Sequence, residues 1–357
     1  MKIDFPSQYN CLVILGPTAV GKTAIGVRLA DYFGGEILSA DSRQVYRGLD
    51  IGSGKDLNDF NLAPETEKTQ LPGRPLQGAR CVPWHLMDIT ELPNEYSVFN
   101  YQKDFYRAFK DVISRKKLPV IVGGTGMYLD SIIRGYDLID VPTNEILRTK
   151  LAGKSIEELT TILYEAKAKC GENLHNETDI TERHRLLRAI EICEFEFSGK
   201  AKAQRAKMPQ RPDIRALILG TTFPRVMLRA GIKKRLQERL QSGMIEEVKR
   251  IHEGTQIAAD GSQVAAVAWD RLERLGLEYR FISEYLQGKY ESLEQMTEKL
   301  NCAIGKFAKR QETWFRGMVK KGVSINWLPH DGSPDDCDVQ RRVLYALEFI
   351  KSIPKQD

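Results

Sequence analysis

The chain has no long apolar run, no clustered cysteines, no internal repeat and no low-complexity tract. No stretch approaches the roughly 18 apolar residues that would suggest a membrane span. The opening MKIDFPSQYN has no apolar signal region, so a cytoplasmic protein without membrane contact is expected. The 6 cysteines, Cys11, Cys81, Cys170, Cys193, Cys302 and Cys337, are too far apart in sequence for a metal knuckle. Scattered thiols fit a reducing compartment, with most of them expected as small core hydrophobes. Charge imbalance is slight: a formal net charge of +5 says little about partners until the basic residues are placed. The 357 residues, 42% apolar and 28% charged, are those of a globular protein able to bury one large core or two modest ones.

Short apolar runs alternate with amphipathic stretches in the first third, which predicts a parallel sheet flanked by helices. CLVIL (11–15), EILSA (36–40), WHLMDI (84–89) and LPVIV (118–122) read as strands. Residues 22–33 read as a helix stopped by Gly34-Gly35, and Ser97 can cap a helix carrying Phe99, Phe105, Phe109 and Val112 at helical spacing. Residues 57–83 are polar and without periodicity, and read as an exposed loop. A helical stretch from about 140 to 200 interrupts the α/β pattern, with segments at 155–168 and 181–196. IRALILG (214–220) restores a strand, helices resume over 224–253 and 266–320, and VSINWL (323–328) with a helix near 335–352 closes the chain. The expected division is 1–139 and 213–357 for the α/β core, with 140–212 as a helical insertion.

GPTAVGKT (16–23) follows the CLVIL strand and opens a helix, which is the spacing of a phosphate-binding loop. Gly16 and Gly21 let successive N–H groups, including those of Thr18 and Ala19, converge on phosphate oxygens. Lys22 adds a full charge, the helix adds its dipole, and the Thr23 hydroxyl can ligate Mg²⁺. A kinase or NTPase would also want an Asp at the end of a buried strand. LPVIV ends instead in GGTG, and Asp88 is a weaker substitute. The best-placed carboxylate is Asp41, where EILSA leaves the sheet as ADSRQVY, because ligands of such folds sit at the carboxyl ends of strands. GGTGMYL (123–129) offers further backbone donors and the Thr125 hydroxyl, so two glycine-rich strand ends could grip a diphosphate from two sides.

Two basic segments remain. Lys200, Lys202, Arg205, Lys207 and Arg211 lie together without an acid among them. KFAKRQETWFRGMVKK (306–321) interleaves its cations with Phe307, Trp314 and Phe315. Charge for phosphates and aromatic platforms for splayed bases is a pattern of nucleic-acid binding.

Taken together, GPTAVGKT, SADSRQVYRGLDIGSGK (39–55), HLMDI (85–89), VGGTGMYL (122–129), RLLRAIEI (185–192), LQSGMIEEV (240–248) and AKRQETWFR (308–316) resemble the tRNA dimethylallyltransferase (tRNA isopentenyltransferase) family, in the family's order. The bacterial form, without a zinc finger, is the nearer likeness. The resemblance implies a P-loop NTPase-like core with an insertion that grips the tRNA anticodon arm. It implies transfer of a dimethylallyl group from dimethylallyl diphosphate to N6 of adenosine-37, with Mg²⁺, in a monomeric enzyme. Asp41 matches the family's proposed base. Lys22, Thr18, Thr23 and Thr125 match donors to the departing diphosphate. Gln44, beside Ser42, matches the residue expected to read the base edge, and Arg310, Gln311 and Trp314 match the motif near the tRNA and diphosphate channel.

The sequence departs from that pattern at two places. Gly231 stands where an Arg facing the diphosphate is usual, and Arg235, one turn on, shares its helix face and is expected to substitute in a slower enzyme. The usual Gly-Tyr pair reads Glu278-Tyr279. Three alternatives stay open: an adenylate isopentenyltransferase acting on free nucleotide, a small-molecule P-loop kinase, and an impaired tRNA-binding homologue.

Overall fold

The computed structural model describes residues 4–170, 183–201, 209–258, 260–333 and 337–354, the side chains of 169 and 170 excepted. Two compact units emerge, one from Met1–Gly135 with Arg211–Asp357 and one from Tyr136–Gln210.

The first unit is built on a six-stranded sheet. Its main strands are β1 (Cys11–Leu15), β2 (Glu36–Ala40), β6 (Pro119–Gly123) and β7 (Ala216–Gly220), with the two-residue strands β5 (Trp84–His85) and β8 (Asn326–Trp327) at the edges. The order is β5-β2-β6-β1-β7-β8 and every pairing is parallel. Near-continuous apolar runs suit strands covered on both faces, and all five residues of β1, β2 and β6 are buried. Alternation sends Leu12 and Ile14 to one face, against Ile25 and Leu29 of α1 (Lys22–Phe33) and Val343 and Leu347 of a C-terminal helix, Val339–Ser352. Cys11, Val13 and Leu15 face the other side, against Tyr101, Phe105 and Phe109 of α2 (Val98–Ser114) and Leu129 and Ile132 of α3 (Gly126–Arg134). Truncating Ile14 to Ala would open a cavity costing about 2–5 kcal/mol.

The register decides where the site falls. Leu15 of β1 lies opposite Gly123 of β6 and Gly220 of β7, and Ala40 of β2 also lies opposite Gly123. The strands end level, so the chains leaving at Gly16, Asp41, Gly124 and Thr221 emerge along one edge.

The second unit carries α4 (Glu145–Lys150), α5 (Ile156–Cys170) and α6 (Arg183–Phe197), packed through Leu147, Leu151, Leu159, Leu163, Leu186 and Ile190. Its buried Glu191 pairs with Arg148 at 2.7 Å and Arg188 at 3.1 Å. Beyond β7 the first unit continues through α7 (Arg225–Gln241), α8 (Met244–Glu253), α9 (Trp269–Arg274), α10 (Leu277–Leu286) and α11 (Leu293–Lys320), and ends in α12, the Val339–Ser352 helix. Leu228, Ile232, Leu236, Val248, Ile251, Tyr279, Ile282, Leu300 and Ile304 of these helices form a third cluster.

Several expectations are corrected. The 84–89 strand stops at His85, because Leu86 (φ 66°) and Asp88 (φ 55°) turn into the left-handed region and break the extended chain. The 323–328 strand is confined to Asn326–Trp327. The 57–83 segment is not bare loop: it holds a 3₁₀ turn (Leu57–Phe60) and a small antiparallel pair, β3 (Asn61–Leu62) with β4 (Arg80–Cys81). Arg74 and Arg80 tie it to Asp31 of α1 and to Glu65. Of the described cysteine side chains only Cys11 and Cys193 are buried, whereas Cys81, Cys302 and Cys337 are exposed, so most are not core hydrophobes. Ser97 accepts the N–H of Asn100 at 3.2 Å and does cap α2. No described helix is long and apolar enough to cross a membrane.

Candidate active site

The loop from Gly16 to Thr23 leads from β1 into α1. Gly21 caps the helix at φ 70°, a backbone conformation that glycine adopts without strain, and no side chain caps α1. The first N–H groups of α1 thus have no side-chain cap competing with an anion for them. Ala19 is held at φ 63° in the same loop, an uncommon conformation for a residue with a Cβ. Lys22 donates through Nζ to the carbonyl of Pro17 at 2.5 Å. Burial and the nearby Arg235 lower its amine to about 7, with Asp41 working in the opposite direction.

Asp41 begins the turn after β2. Its Oδ1 accepts the N–H of Arg43 at 2.9 Å and of Gln44 at 3.4 Å, which orients the carboxylate from within its own turn. The amide of Gln44 accepts from the Ser39 hydroxyl at 2.9 Å and donates to the carbonyl of Gly54 at 3.0 Å. Each end of an amide can make two bonds, so one donor and one acceptor position remain for a ligand. Ser42 is exposed, and its N–H donates to the Thr125 hydroxyl at 3.0 Å. Asp88 is taken up by Lys55, which also pairs with Asp50 at 2.6 Å and donates to the carbonyl of Tyr46 at 2.9 Å. Lys55 is 1% exposed, so Asp88 serves as a counter-charge to a buried cation, which removes it as the substitute metal-binding Asp.

The second glycine-rich end is occupied by α11. A Cβ at Gly124 would lie 2.4 Å from the Gln311 amide, and one at Gly126 would lie 2.4 Å from the Trp314 ring. These glycines admit the KRQETWFR helix against the strand end. Gln311 donates to the carbonyl of Gly124 at 2.8 Å and accepts the N–H of Thr18 at 2.9 Å, which joins the two glycine-rich ends through one side chain. The N–H of Thr125 is spent on the carbonyl of Ala40 at 3.2 Å. Of the interleaved aromatics of this helix Phe315 is fully buried, Trp314 is half-buried against Gly126, and Phe307 is half-buried under Arg43. Phe315 is therefore no stacking platform, whereas Lys306, Lys309, Arg310, Arg316, Lys320 and Lys321 are all exposed. In the other basic segment Lys200 is exposed and Arg211 donates to the carbonyl of Ile133 at 2.8 Å, whereas Lys202, Arg205 and Lys207 lie outside the described residues.

Two cavities meet at the phosphate loop. The larger, about 760 Å³, is lined by Gly21, Lys22, Thr23, Asp50, Lys55, Asp56 and by one face of α7, Gly231, Lys234, Arg235, Glu238 and Arg239. The smaller, about 70 Å³, includes Thr18, Asp41, Gln44, Gly124 and Gln311. Lys22, Thr23, Arg235 and Arg239 line both. Thr125, Arg310 and Trp314 line neither. Arg235 pairs with Asp56 across the larger cavity. Gly231 faces the loop, where an added Cβ would sit 3.5 Å from the carbonyl of Ala19, an ordinary contact. Arg229 turns away and donates to the carbonyl of Asn301 at 3.2 Å. Among the described residues no group of three His, Cys, Asp or Glu side chains could hold a metal ion.

Arg43, Arg239 and Glu247 were not anticipated, and Glu278 stood out only as a departure from the usual Gly-Tyr pair. Arg239 was within reach of the same helical argument that selected Arg235, since it lies one further turn along that face. Glu247 accepts the N–H groups of Asp50, Ile51 and Gly52 at 3.1, 2.6 and 3.0 Å and the Tyr279 hydroxyl at 3.1 Å. Burial pushes its carboxyl above the usual carboxylate range against the pull of those donors. No local pattern announces such a long-range contact.

A family model described as IPP transferase matches residues 44–318, and one described as isopentenyl transferase matches residues 9–77. The chain is 47% identical over 331 residues to tRNA dimethylallyltransferase 2 of Treponema denticola, covering 92% of this chain and 99% of that protein. It is 46% identical over 327 residues to tRNA dimethylallyltransferase 1 of Geotalea daltonii, covering 92% of each. Among solved structures, the full-length tRNA isopentenylpyrophosphate transferase of Bacillus halodurans aligns with a TM-score of 0.57 at 27% identity, over 96% of this chain and 95% of that one. A eukaryotic dimethylallyltransferase acting on tRNA shares the fold, with a TM-score of 0.66 at 20% identity over 97% of this chain and 81% of its own. By the extent of the family model and the identity of these relatives, the chain belongs to the IPP transferase family.

Proposed function

We propose that the chain transfers a dimethylallyl group from dimethylallyl diphosphate to N6 of adenosine-37 in tRNA and releases diphosphate. The observation that carries this reading is the pair of cavities sharing Lys22, Thr23, Arg235 and Arg239, with Asp41 and Gln44 in the smaller one. A diphosphate seated on the shared cations can be approached from the Asp41 side by a flipped-out base. The N6–carbon bond forms as the carbon–oxygen bond to diphosphate breaks, and the N6 proton passes to the Asp41 carboxylate. Oδ1 of Asp41 is committed to the turn, and Oδ2 makes no hydrogen bond to a described residue. Gln44 orients the base edge through its remaining donor and acceptor. The N–H groups at the start of α1, with Lys22, the Thr18 hydroxyl, Arg235 and Arg239, take up the charge that develops on the leaving group, the Thr18 N–H being held by Gln311.

A divalent ion suits the donor set: the Thr23 hydroxyl at the cavity wall and the oxygens of a bound diphosphate, with no carboxylate cage required. Mg²⁺ would there neutralise charge on the departing diphosphate. Thr125, through Ser42, steadies the Asp41 turn, and Arg310 and Trp314 belong to the helix that delivers Gln311. The Tyr136–Gln210 unit is assigned to the anticodon arm, the protein acts as a monomer, and its site of action is the cytoplasm. The names of the relatives support tRNA over free adenylate as acceptor.

Incubation with tRNA, dimethylallyl diphosphate and Mg²⁺, followed by mass analysis of the nucleosides, tests the reading. One prenylated adenosine per acceptor tRNA is expected, with none formed from AMP. Product from AMP alone, or ATP-dependent phosphorylation without prenyl transfer, would overturn it.

A further inference from the structure

Glu278 is an anion on the wall of an anion site. It lines the smaller cavity with Lys22, Arg235 and Arg239, and its side chain is 8% exposed. A carboxylate there would repel a diphosphate unless its charge were already spent. Both of its oxygens face guanidinium groups. Oε2 accepts from Nη1 of Arg43 at 2.6 Å, and Oε1 stands 3.7 Å from Nη1 of Arg239.

The two arginines differ in what holds them. Arg43 is fixed independently of Glu278: its N–H bonds Asp41, and its guanidinium lies 5.5 Å over the Phe307 ring. Arg239 is 14% exposed, with its guanidinium against Gly54, where a Cβ would come within 1.6 Å of Nη2. It shares a helix face with Arg235, one turn away, and the two like charges repel. Burial and Arg235 both work against its charge. Arg235 has Asp56 as its ion-pair partner, so the carboxylate paired with Arg239 is Glu278. A buried charge without a partner is expelled or displaced.

We propose that Glu278 is a positioning residue: anchored by Arg43, it tethers the Arg239 guanidinium at the diphosphate side of the cleft without touching substrate. The proposal rests on the prenyl-transfer reading only for the identity of the donor. It also gives Gly231 a context, since the cation missing from that position has a counterpart two turns along the same face.

The test is a double-variant cycle read by calorimetry, with inorganic diphosphate and Mg²⁺ as the probe. Glu278→Gln is expected to weaken diphosphate binding about tenfold, because the buried Arg239 guanidinium then loses the carboxylate charge 3.7 Å away that tethers it. The KM for the donor should rise in step while affinity for tRNA stays within threefold. Arg239→Gln should cause a similar loss, and Glu278→Gln combined with Arg239→Gln should lose no more than either alone. Glu278→Asp, which keeps the charge on a shorter arm, should recover most of the affinity. If Glu278→Gln does not fold, Arg43→Gln takes its place in the cycle with the same expected outcome. Diphosphate affinity within twofold of wild type in the Glu278 variant, or losses that multiply in the double variant, would overturn the proposal. Binding of inorganic diphosphate is read without any transfer. A failure of the prenyl-transfer reading would therefore appear in the tRNA product and not in this cycle.

Discussion

The two glycine-rich strand ends, 16–23 and 123–126, are the same kind of sequence feature on neighbouring strands, yet the structure uses them differently. At the first, an uncapped helix start and Lys22 face a cavity. At the second, the missing Cβ atoms make room for Gln311 and Trp314 of α11, and the Thr125 N–H is consumed by Ala40. One end offers donors to a ligand, and the other is a packing joint that brings a distant helix to the site. Gly123 and Gly124 of the second end still line the smaller cavity, but the cations beside the phosphate loop come from Lys22 and from Arg235 and Arg239 of α7. Glycine at a strand end signals close approach, but not what approaches.

The comparison can be broken most severely at Lys22. Lys22→Ala should lower kcat/KM about 10²–10³-fold, as removal of one preorganised donor to a developing oxyanion does, with little change in melting temperature. Loss of folding without a specific loss of rate would place Lys22 in the structure and not in the chemistry. The converse substitution, Gly126→Ala, should destabilise the protein by about 1–3 kcal/mol by forcing Trp314 out of place. Diphosphate affinity per folded molecule should survive; its disappearance with stability intact would make the second end a ligand loop after all.

A pH series sharpens the contrast further. Lys22 is lowered to about 7 in the ligand-free protein, and a bound diphosphate raises it again. Binding then takes up a proton above pH 7, so affinity should be greatest below that pH and fall by up to about tenfold per unit as pH rises beyond it. The measurement is calorimetry from pH 6.5 to 9, corrected for the ligand's own titration, with Lys22→Arg expected to flatten the curve. The same shift bears on folding: the unfolded chain holds the Lys22 proton up to its ordinary pKa, so this residue's contribution to stability rises with pH from about 7 upward. The smallest effect is expected at Gly231. Gly231→Arg should raise turnover a few-fold, because the position opens onto the loop without a clash, and Arg235→Ala should lower it. Both variants behaving as wild type would remove α7 from the diphosphate site.

Much of the site was legible because it depends on local chemistry. A strand, two spaced glycines, a lysine and a threonine specify a phosphate loop whatever lies around it. The turn of Asp41 is likewise short-range, since its Oδ1 bonds residues two and three positions on. Less legible were charges whose meaning depends on a partner far along the chain. Asp88 looked like a metal ligand until Lys55 claimed it, and Phe315, interleaved with the cations of 306–321, looked like a stacking platform until the fold buried it. A helix displays every third or fourth residue on one face, so a mixed basic and aromatic segment cannot reveal from sequence alone which face is buried.

By itself the sequence determined the parallel α/β core, the phosphate loop, the carboxylate beside it and the helical excursion. Each follows from a period of two or 3.6 residues, or from a contact a few residues long. Tertiary structure alone decided that Gln311 joins Thr18 to Gly124, that Glu247 holds the loop at Asp50–Gly52, and that Arg43, Glu278 and Arg239 form a chain of alternating charge. Those partners are separated by 187–293 residues for Gln311 and by 235 for Arg43 and Glu278. No periodicity spans such distances; only burial, which makes an unpaired charge or amide costly, selects the partner.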